Sequence, residues 1–436
     1  MKYYSTNRKA PEVDFRTALL EGLAEDGGLY MPQAFPGIRN QELGIGEFEK
    51  IISRFTDIPK PTLRKIIKES FNFPVPLVKL DKNLYVLELF HGPTLSFKDF
   101  GARFMARTME YFVTRGHRQG GASKLNIIVA TSGDTGSAVA SAFYGLKNIN
   151  VFVLYPSKRV SPLQEKQITT FGHRQGGARK NIFALEVKGD FDDCQRLVKQ
   201  ALGDSALRKK INLSSANSIN IGRLLPQMHY YFSAYTQLLN DLMTQLPSFI
   251  VPSGNFGNLT AGLLAKKIGL PAGKFIAAVN INSGVPKYLR TGKLPVKKAQ
   301  MTYSNAMDVG VPSNWARILD LYKNNLTAIK KDLEAITVSE AETEETIKEV
   351  YKKYGYIADP HTAVGLAAAF QSKTAGIKIV LATAHPAKFP EIVEKAIGKK
   401  IPLPKPLLEV QKKKKNSLLL KNDYREFKKT LSNKGP

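Results

Sequence analysis

Four short segments of this 436-residue sequence carry residue types suited to chemistry, and the first centres on one lysine. In HGPTLSFKDFGARF, residues 91–104, Lys98 stands at the predicted start of a helix beside Phe97, Phe100 and Ala102. Apolar neighbours reduce the hydration of an ammonium group, which lowers its pKa. The uncharged amine can then act as a nucleophile towards carbonyl carbons. The alternative for an isolated lysine is a side chain that reaches past its apolar neighbours to solvent.

The second segment is SGNFGN, residues 253–258, between a predicted strand and a predicted helix. Its glycines allow successive backbone N–H groups to point at one anion, and the helix that follows adds its positive end. These features suit a phosphate group, although a tight turn would explain the same residues. The sequence has neither a Walker motif nor a GxGxxG segment after a strand, so the phosphate is not expected to belong to ATP or NAD.

Two further segments offer polar groups to anions. SGDTG, residues 132–136, opens a predicted helix and presents hydroxyls and amides that suit a carboxylate, with ordinary helix capping as the alternative. NSINIGR, residues 217–223, combines amide, hydroxyl and guanidinium groups that suit a phosphate dianion, with a polar helix start as the alternative. Together the four segments indicate an aldehyde cofactor with its own phosphate and a substrate with an anion at each end.

Short apolar runs predict the strands that position these segments. Most are followed by turn residues and a helical pattern, which favours parallel α/β layers, and ligands bind at the carboxyl ends of such strands. A charged surface helix is predicted at residues 338–354. The runs are LNIIVA (125–130), INVFVLY (149–155), FIV (249–251), FIAAVNI (275–281) and IKIVLA (377–382).

Composition and charge argue against a nucleic-acid-binding protein and against a membrane protein. The chain has 64 Lys and Arg against 37 Asp and Glu, a net charge of +27, but the basic residues are scattered and no nucleic-acid-binding motif is visible, so we expect no nucleic-acid partner. The apolar runs are shorter than the roughly 20 residues that span a bilayer, so no membrane segment is expected. A single cysteine, Cys194, and a polar start without a signal sequence predict a reducing, cytoplasmic setting.

The heptapeptide GHRQGGA occurs twice, at residues 116–122 and 172–178. Both copies lie between a helical pattern and the next strand, where a polar loop is expected. The neighbouring sequence is not repeated, so the pair does not indicate a solenoid. We interpret the copies as surface loop insertions; the alternative is a pair of anion-binding loops.

Seven segments of the sequence, in the same order, closely resemble those of the threonine synthases of the longer-chain branch, which are pyridoxal-phosphate enzymes of fold type II. The resemblance runs from near the first residues to the last fifth of the chain. The segments are GLAEDGGLYMP (22–32), HGPTLSFKDFGARF (91–104), VATSGDTGSAVASAF (129–143), SSANSINIGRLLPQ (214–227), PSGNFGN (252–258), DPHTAVG (359–365) and ATAHPAKF (382–389).

The resemblance implies an α/β fold like that of the tryptophan synthase β subunit, in which parallel-sheet domains hold pyridoxal 5'-phosphate between them and an N-terminal unit precedes them. We expect an N-terminal domain at residues 1–85 and a smaller α/β domain with the substrate-carboxylate loop at 86–215. A larger α/β domain with the phosphate loop and the basic tail is expected at 216–436.

The resemblance also implies roles for single residues. Lys98 matches the lysine that bonds to the cofactor, and Thr383 matches the residue whose hydroxyl meets the pyridine nitrogen. The loop for the cofactor phosphate is matched by Gly254, Asn255, Phe256, Gly257 and Asn258. The loop around the substrate carboxylate is matched by Ser132, Gly133, Asp134 and Thr135. The substrate phosphate is expected at Asn217, Ser218 and Arg223, with Lys158 as a weaker candidate that a surface lysine would equally explain.

The reaction implied by the resemblance converts O-phospho-L-homoserine and water to L-threonine and phosphate, by γ-elimination and then addition of water at Cβ. It is the last step of threonine biosynthesis, and a monomer or a homodimer is expected. One alternative is a dehydratase or phospho-amino-acid lyase of the same fold, which the NSINIGR segment disfavours because a dehydratase needs no pocket for a substrate phosphate. Another is a basic binding protein that retains the fold.

Overall fold

The computed structural model describes residues 1–38, 47–116, 124–172, 181–239 and 245–434. Apart from their first residues, both GHRQGGA copies lie outside the described residues. No helix within these ranges is long and apolar enough to cross a membrane.

The first part of the chain forms a small antiparallel sheet with helices beside it. The strand order is β2-β1-β3. Its elements are β1 (Lys2–Ser5), β2 (Val13–Asp14), α1 (Phe15–Glu21), β3 (Tyr30–Pro32), α2 (Phe48–Ser53) and α3 (Lys60–Ser70).

The middle of the chain contributes two strands to one sheet and then builds most of a second. After β4 (Leu77–Asp81), β5 (Leu84–Glu88) and the 19-residue α4 (Lys98–Gly116), strands and helices alternate. The elements that follow are β6 (Leu125–Ala130), α5 (Asp134–Phe143), β7 (Ile149–Pro156), α6 (Pro162–Thr169), β8 (Ile182–Val187), α7 (Phe191–Gly203), α8 (Ser205–Ile211) and β9 (Leu213–Ser215).

The remainder of the chain completes both sheets. Its first elements are α9 (Ile221–Leu224), α10 (Met228–Gln237), β10 (Ser248–Pro252), α11 (Gly257–Lys267), β11 (Phe275–Val279), α12 (Gly284–Thr291), α13 (Trp315–Leu321) and α14 (Leu326–Asp332). Its last elements are β12 (Leu333–Thr337), α15 (Glu340–Tyr354), α16 (Pro360–Gln371), β13 (Lys378–Ala382), α17 (Pro390–Ile397), α18 (Lys405–Gln411), β14 (Leu418–Leu420) and α19 (Tyr424–Lys434).

Two mainly parallel sheets form the body of the protein. The first has six strands in the order β12-β11-β10-β13-β5-β4, and only β4 runs antiparallel to its neighbour. The second has five parallel strands in the order β14-β8-β7-β6-β9. Each of the five predicted apolar runs forms one strand, as expected for strands buried on both faces. The predicted α/β class is thus confirmed.

The predicted surface helix is also present, as α15, and its ends have clear local causes. Ser339 accepts a hydrogen bond from the N–H of Glu342, whose carboxylate accepts one from the N–H of Ser339 in return. Gly355, with φ of 67°, then ends the helix in a left-handed conformation that suits glycine.

The strand pairings cross the predicted domain boundaries. β4 and β5 belong to the six-stranded sheet with β10 to β13, although residues 77–85 were placed in the N-terminal domain. β14 pairs with β8, so the end of the chain adds a strand to the five-stranded sheet. It does not belong to the larger α/β domain expected at residues 216–436. We propose a division by sheet membership instead, because a strand is stable only with the sheet that satisfies its backbone hydrogen bonds.

Candidate active site

A cavity of about 360 Å³ opens where the carboxyl ends of β6, β10 and β13 meet the first turn of α4. Residues from all four predicted segments line it, including Lys98, Ser132, Arg223 and Gly254. Thr383, directly after β13, lines it as well. The segments that were singled out separately in the sequence therefore meet at the edge of the sheets where ligands of parallel α/β proteins bind.

Lys98 is the first residue of α4, and its side chain is only 12% exposed. Its Nζ lies 4.0 Å from Oδ2 of Asp134 and 5.5 Å from the centre of the Phe97 ring. Burial lowers the pKa of Lys98 to about 8, with the positive charges of Lys388 and Arg223 acting in the same direction and Asp134 opposing them. About a tenth of this amine is therefore uncharged at pH 7, far more than for an exposed lysine.

Asp134 begins α5, and its carboxylate is 3% exposed. Its Oδ1 accepts hydrogen bonds from Nζ of Lys388 at 2.6 Å and from Nε2 of Gln164 at 2.8 Å. Burial alone would raise the pKa of Asp134, but the ammonium groups of Lys388 and Lys98 outweigh it and hold that pKa well below its ordinary value. The carboxylate thus stays ionised throughout the physiological range.

The predicted phosphate loop is held in shape from several sides. Phe256 adopts a left-handed conformation, with φ of 61°, which is uncommon for a residue with a side chain and is frequent at functional sites. Its ring packs edge-on against Trp315 at 5.9 Å. The Asn258 amide donates to the carbonyl of Pro252 at 2.8 Å, and its oxygen accepts from the N–H of Leu259 at 2.9 Å. These contacts fix the loop backbone at the point where it enters α11.

The loop also contacts the NSINIGR segment. The Asn255 amide donates to Oγ of Ser218, and its oxygen accepts from the N–H of Ser313 at 2.6 Å. Arg317, which is fully buried, fixes the same segment by donating to the carbonyls of Ser218 at 3.3 Å and Ile219 at 2.6 Å. These bonds place the two predicted anion sites side by side.

Arg223, in the short helix α9, has a different environment from Arg317. Its NH1 donates to the carbonyl of Ala216 at 2.7 Å, whereas no described residue accepts a hydrogen bond from its buried Nε. Burial lowers its pKa to about 10, and the distant charge of Asp99 opposes this only in part. A guanidinium group this buried, without a carboxylate bonded to it, is suited to an anionic ligand.

Comparison with known proteins decides the family. The family model of pyridoxal-phosphate dependent enzymes matches residues 69–381, and the N-terminal and C-terminal models of threonine synthase match residues 2–71 and 362–431. The threonine synthase of Haemophilus influenzae is 46% identical over 415 residues, which cover 93% of this chain and 94% of that protein.

The chain belongs to the threonine synthase family.

Solved structures of this family have the same fold. The crystal structure of threonine synthase from Escherichia coli matches with a TM-score of 0.91 and 42% identity, covering 99% of this chain and 100% of that one. The pyridoxal-phosphate-bound threonine synthase from Brucella melitensis matches with a TM-score of 0.90 and 36% identity, covering 99% of each chain. The chain is thus a pyridoxal-phosphate-dependent lyase of fold type II with threonine synthase activity, as the sequence predicted.

The residues of this threonine synthase cavity fit the cofactor. A Cβ atom on Gly254 would stand 2.5 Å from Cα of Met307, so only glycine lets the loop backbone pass this close to its neighbour. The loop then leads into α11, whose 11 residues place a positive helix end at the cavity. A buried amine at Lys98 and a neutral hydroxyl at Thr383 complete a set of groups suited to an aldehyde, a phosphate and a ring nitrogen.

Not every predicted site residue has its polar groups free for a ligand. Asn217 lines the cavity, but its amide donates to the carbonyl of Ala130 at 2.8 Å and accepts from the N–H of Ala130 at 3.2 Å. Lys158 lines a different pocket on the surface, with Arg159 and Lys188, and adopts a left-handed turn after β7 that places it on the outer surface. The structure therefore brings together all the predicted segments except the one that contains Lys158.

Sequence reasoning missed several residues of the site. His361, 2% exposed, lines the cavity; its Nδ1 lies 2.6 Å from Oδ2 of Asp359, and its Nε2 accepts from the N–H of Ala306 at 3.2 Å. Lys388 and Gln164 hold Asp134. His361 and Lys388 lie in the segments DPHTAVG and ATAHPAKF, which carried the family resemblance. The sequence therefore marked both segments, but it assigned no role to these two residues.

We predict that Gly254→Ala weakens cofactor binding by at least about tenfold, because the new methyl group would overlap the backbone of Met307 and displace the loop. Equilibrium dialysis against pyridoxal phosphate measures this. Gly203→Ala is the matched control, since nothing lies within 4 Å of its added methyl group. Equal affinity in the two variants would contradict the prediction.

Proposed function

We propose that this chain converts O-phospho-L-homoserine and water to L-threonine and inorganic phosphate at the cavity around Lys98. The observation that supports this substrate most directly is the buried Arg223 guanidinium, whose Nε has no acceptor among the described residues. A substrate with its own phosphate supplies the missing anion. A dehydratase substrate, with a hydroxyl in that position, would leave a buried cation uncompensated.

In this proposal the cofactor would be held in the cavity between the two sheets. The backbone N–H groups of residues 254–258 would hold its phosphate, because the start of α11 favours negative charge. The Thr383 hydroxyl would meet the ring nitrogen without fixing a positive charge there, as a carboxylate would. When bound, the cofactor withdraws electrons from the substrate and makes its Cα and Cβ protons acidic.

Lys98 has two roles in this proposal. It would hold the cofactor covalently, and its amine would carry protons between Cα, Cβ and Cγ of the substrate. The lowered pKa, about 8, suits both roles because the uncharged amine is the form that attacks a carbonyl and accepts a proton. The rigid first turn of α4 keeps the amine within reach of adjacent carbons.

The two ends of the substrate bind to different elements. The carboxylate is held by the hydroxyls of Ser132 and Thr135 and by the first amides of α5. The phosphate binds Arg223 and the Ser218 hydroxyl. Asn217, directly before Ser218, holds this segment in place through its two hydrogen bonds with the backbone of Ala130. Because the phosphate gains charge as its bond to Cγ breaks, these donors stabilise the transition state more than the bound substrate.

The experiment that tests the proposed reaction supplies O-phospho-L-homoserine to the purified protein and measures threonine and phosphate together. We expect the two products in equal amounts. Phosphate accompanied by 2-oxobutyrate would identify the protein as a lyase that lacks the water addition. No turnover of O-phospho-L-homoserine, together with turnover of threonine or serine in a parallel assay, would identify a dehydratase. Either outcome would overturn the proposal.

We also propose a cytoplasmic setting and a monomer or homodimer. Cys194 is buried in α7, and burial raises the pKa of its thiol far above the ordinary value, so this cysteine is unreactive. Sedimentation of the purified protein measures the oligomeric state.

A further inference from the structure

A second lysine, Lys388, is buried beside the site, and the proposed reaction gives it no role. It ends the short turn Pro386–Lys388 after β13 and is 0% exposed. Its Nζ lies 2.6 Å from Oδ1 of Asp134 and donates to the carbonyl of Thr94 at 3.0 Å. Lysine is seldom fully buried unless it is paired, and here its partner is the carboxylate nearest to Lys98.

We propose that Lys388 is a positioning residue that binds the Asp134 carboxylate tightly, so that Asp134 orients Lys98 without forming a full ion pair with it. This inference rests on the proposed role of Lys98 as the cofactor lysine.

The geometry around Asp134 supports an unequal division of the carboxylate between the two lysines. Oδ1 accepts from both Lys388 and Gln164 at hydrogen-bond distance. Oδ2 lies 4.0 Å from Nζ of Lys98, too far for a hydrogen bond. Asp134 is thus bonded to Lys388 and only near Lys98. The bond also crosses the cleft, since α5 follows a strand of the five-stranded sheet and Lys388 follows β13 of the six-stranded one.

The charges that face Lys98 determine what the loss of Lys388 would do. Arg223 faces it from α9 and Asp134 from α5, while His361 on α16 acts on Asp134. Asp99, on α4 itself, is buried and accepts two hydrogen bonds from Thr94. Without Lys388, a positive charge that disfavours protonated Lys98 is removed, and Asp134 becomes free to pair with Lys98. Both changes raise the pKa of Lys98.

A purely structural role predicts a different outcome. If Lys388 only satisfied the carbonyl of Thr94 and filled space, its replacement would lower stability but leave the protonation of Lys98 unchanged. A readout of Lys98 protonation therefore separates the two roles, whereas activity or melting temperature alone would not.

The test uses the full-length chain from which pyridoxal phosphate has been released with hydroxylamine and then removed by dialysis. Trace acetic anhydride acylates uncharged amines, and mass spectrometry follows acylation of Lys98 as the pH is varied from about 6 to about 10. We expect a midpoint near pH 8 in the unsubstituted protein. Lys388→Gln should raise the midpoint by about one unit, so that about tenfold less of the amine reacts at neutral pH.

Two variants serve as controls. Lys388→Arg retains the charge and should keep the midpoint close to that of the unsubstituted protein. Lys378→Gln removes a partly buried lysine of β13 that donates to the carbonyls of Ala369 at 2.7 Å and Ser372 at 2.8 Å, so it reports a loss of stability without a change at Lys98. An unshifted midpoint in a folded Lys388→Gln protein would overturn the inference.

A further pair keeps the inference testable if Lys388→Gln does not fold. Asp134→Asn leaves two cations facing each other and should lower the midpoint, and adding Lys388→Gln to that variant should raise it again. No rise in the double variant would also overturn the inference. The acylation of Lys98 reports its protonation even if another lysine holds the cofactor, so failure of this inference is distinguishable from failure of the proposed site.

Discussion

Lys98→Ala is expected to lower threonine formation by at least about 10³-fold and to remove the visible absorption of covalently held pyridoxal phosphate, because in the proposed function Lys98 both anchors the cofactor and carries protons. The cavity would remain, since the substitution removes no packing residue of the core. Absorption spectra after exhaustive dialysis and a coupled assay of phosphate release measure the two losses.

Borohydride reduction adds a direct chemical readout for Lys98. Hydride reduces the carbon–nitrogen double bond between cofactor and lysine, so the cofactor becomes fixed to the peptide that contains its lysine, and mass spectrometry identifies that peptide. Lys399→Ala is the control, because Lys399 is exposed and lines a separate surface pocket. A visible band that survives in Lys98→Ala, or a fixed cofactor on another peptide, would refute the assignment.

Arg223→Gln is expected to lower kcat/KM for O-phospho-L-homoserine by about 10²-fold to 10³-fold while the visible cofactor band persists. In the proposed function this buried guanidinium group meets the substrate phosphate, and its Nε is without an acceptor among the described residues. The same substitution should weaken inhibition by inorganic phosphate by at least about tenfold, since that product binds the same donors. Initial-rate kinetics with and without added phosphate measure both effects.

The control for Arg223 is another arginine that bonds to backbone carbonyls. Arg103, on α4, donates from Nε to the carbonyl of Ser70 at 2.9 Å and lies outside the residues that line the cavity. Arg103→Gln should change stability but not inhibition by phosphate. If the two variants respond alike to inorganic phosphate, the phosphate role of Arg223 is wrong.

The strands that could be predicted from sequence are those buried on both faces. LNIIVA and FIV are continuous apolar runs because helices cover both sides of a central parallel strand. The strands that the sequence did not predict lie at an edge of a sheet or next to one, such as β9 with the sequence LSS and β5 with LYVLE. Their pairing depends on neighbours far away in the chain, and a short local pattern does not record it.

The same limit applies to the site. Lys98, the SGNFGN loop and the NSINIGR segment could be singled out in the sequence because each has a local feature, a helix start or a glycine turn, that its own residues determine. The contacts of Lys388 and Arg317 could not, because each bonds to a backbone or side-chain group from another part of the chain. Whether a lysine or arginine is buried depends on the whole fold, so the sequence around it does not show that it is.

The pairing of β14 with β8 has a consequence for how the chain folds as it is synthesised. The central strands β6 and β7 are made early, but their sheet keeps an open edge at β8 until residues 418–420 emerge. The six-stranded sheet, whose last strand ends at Ala382, can be complete before that. Because an unpaired strand edge promotes association with other chains, we expect the edge of β8 to be exposed to such association between these two events.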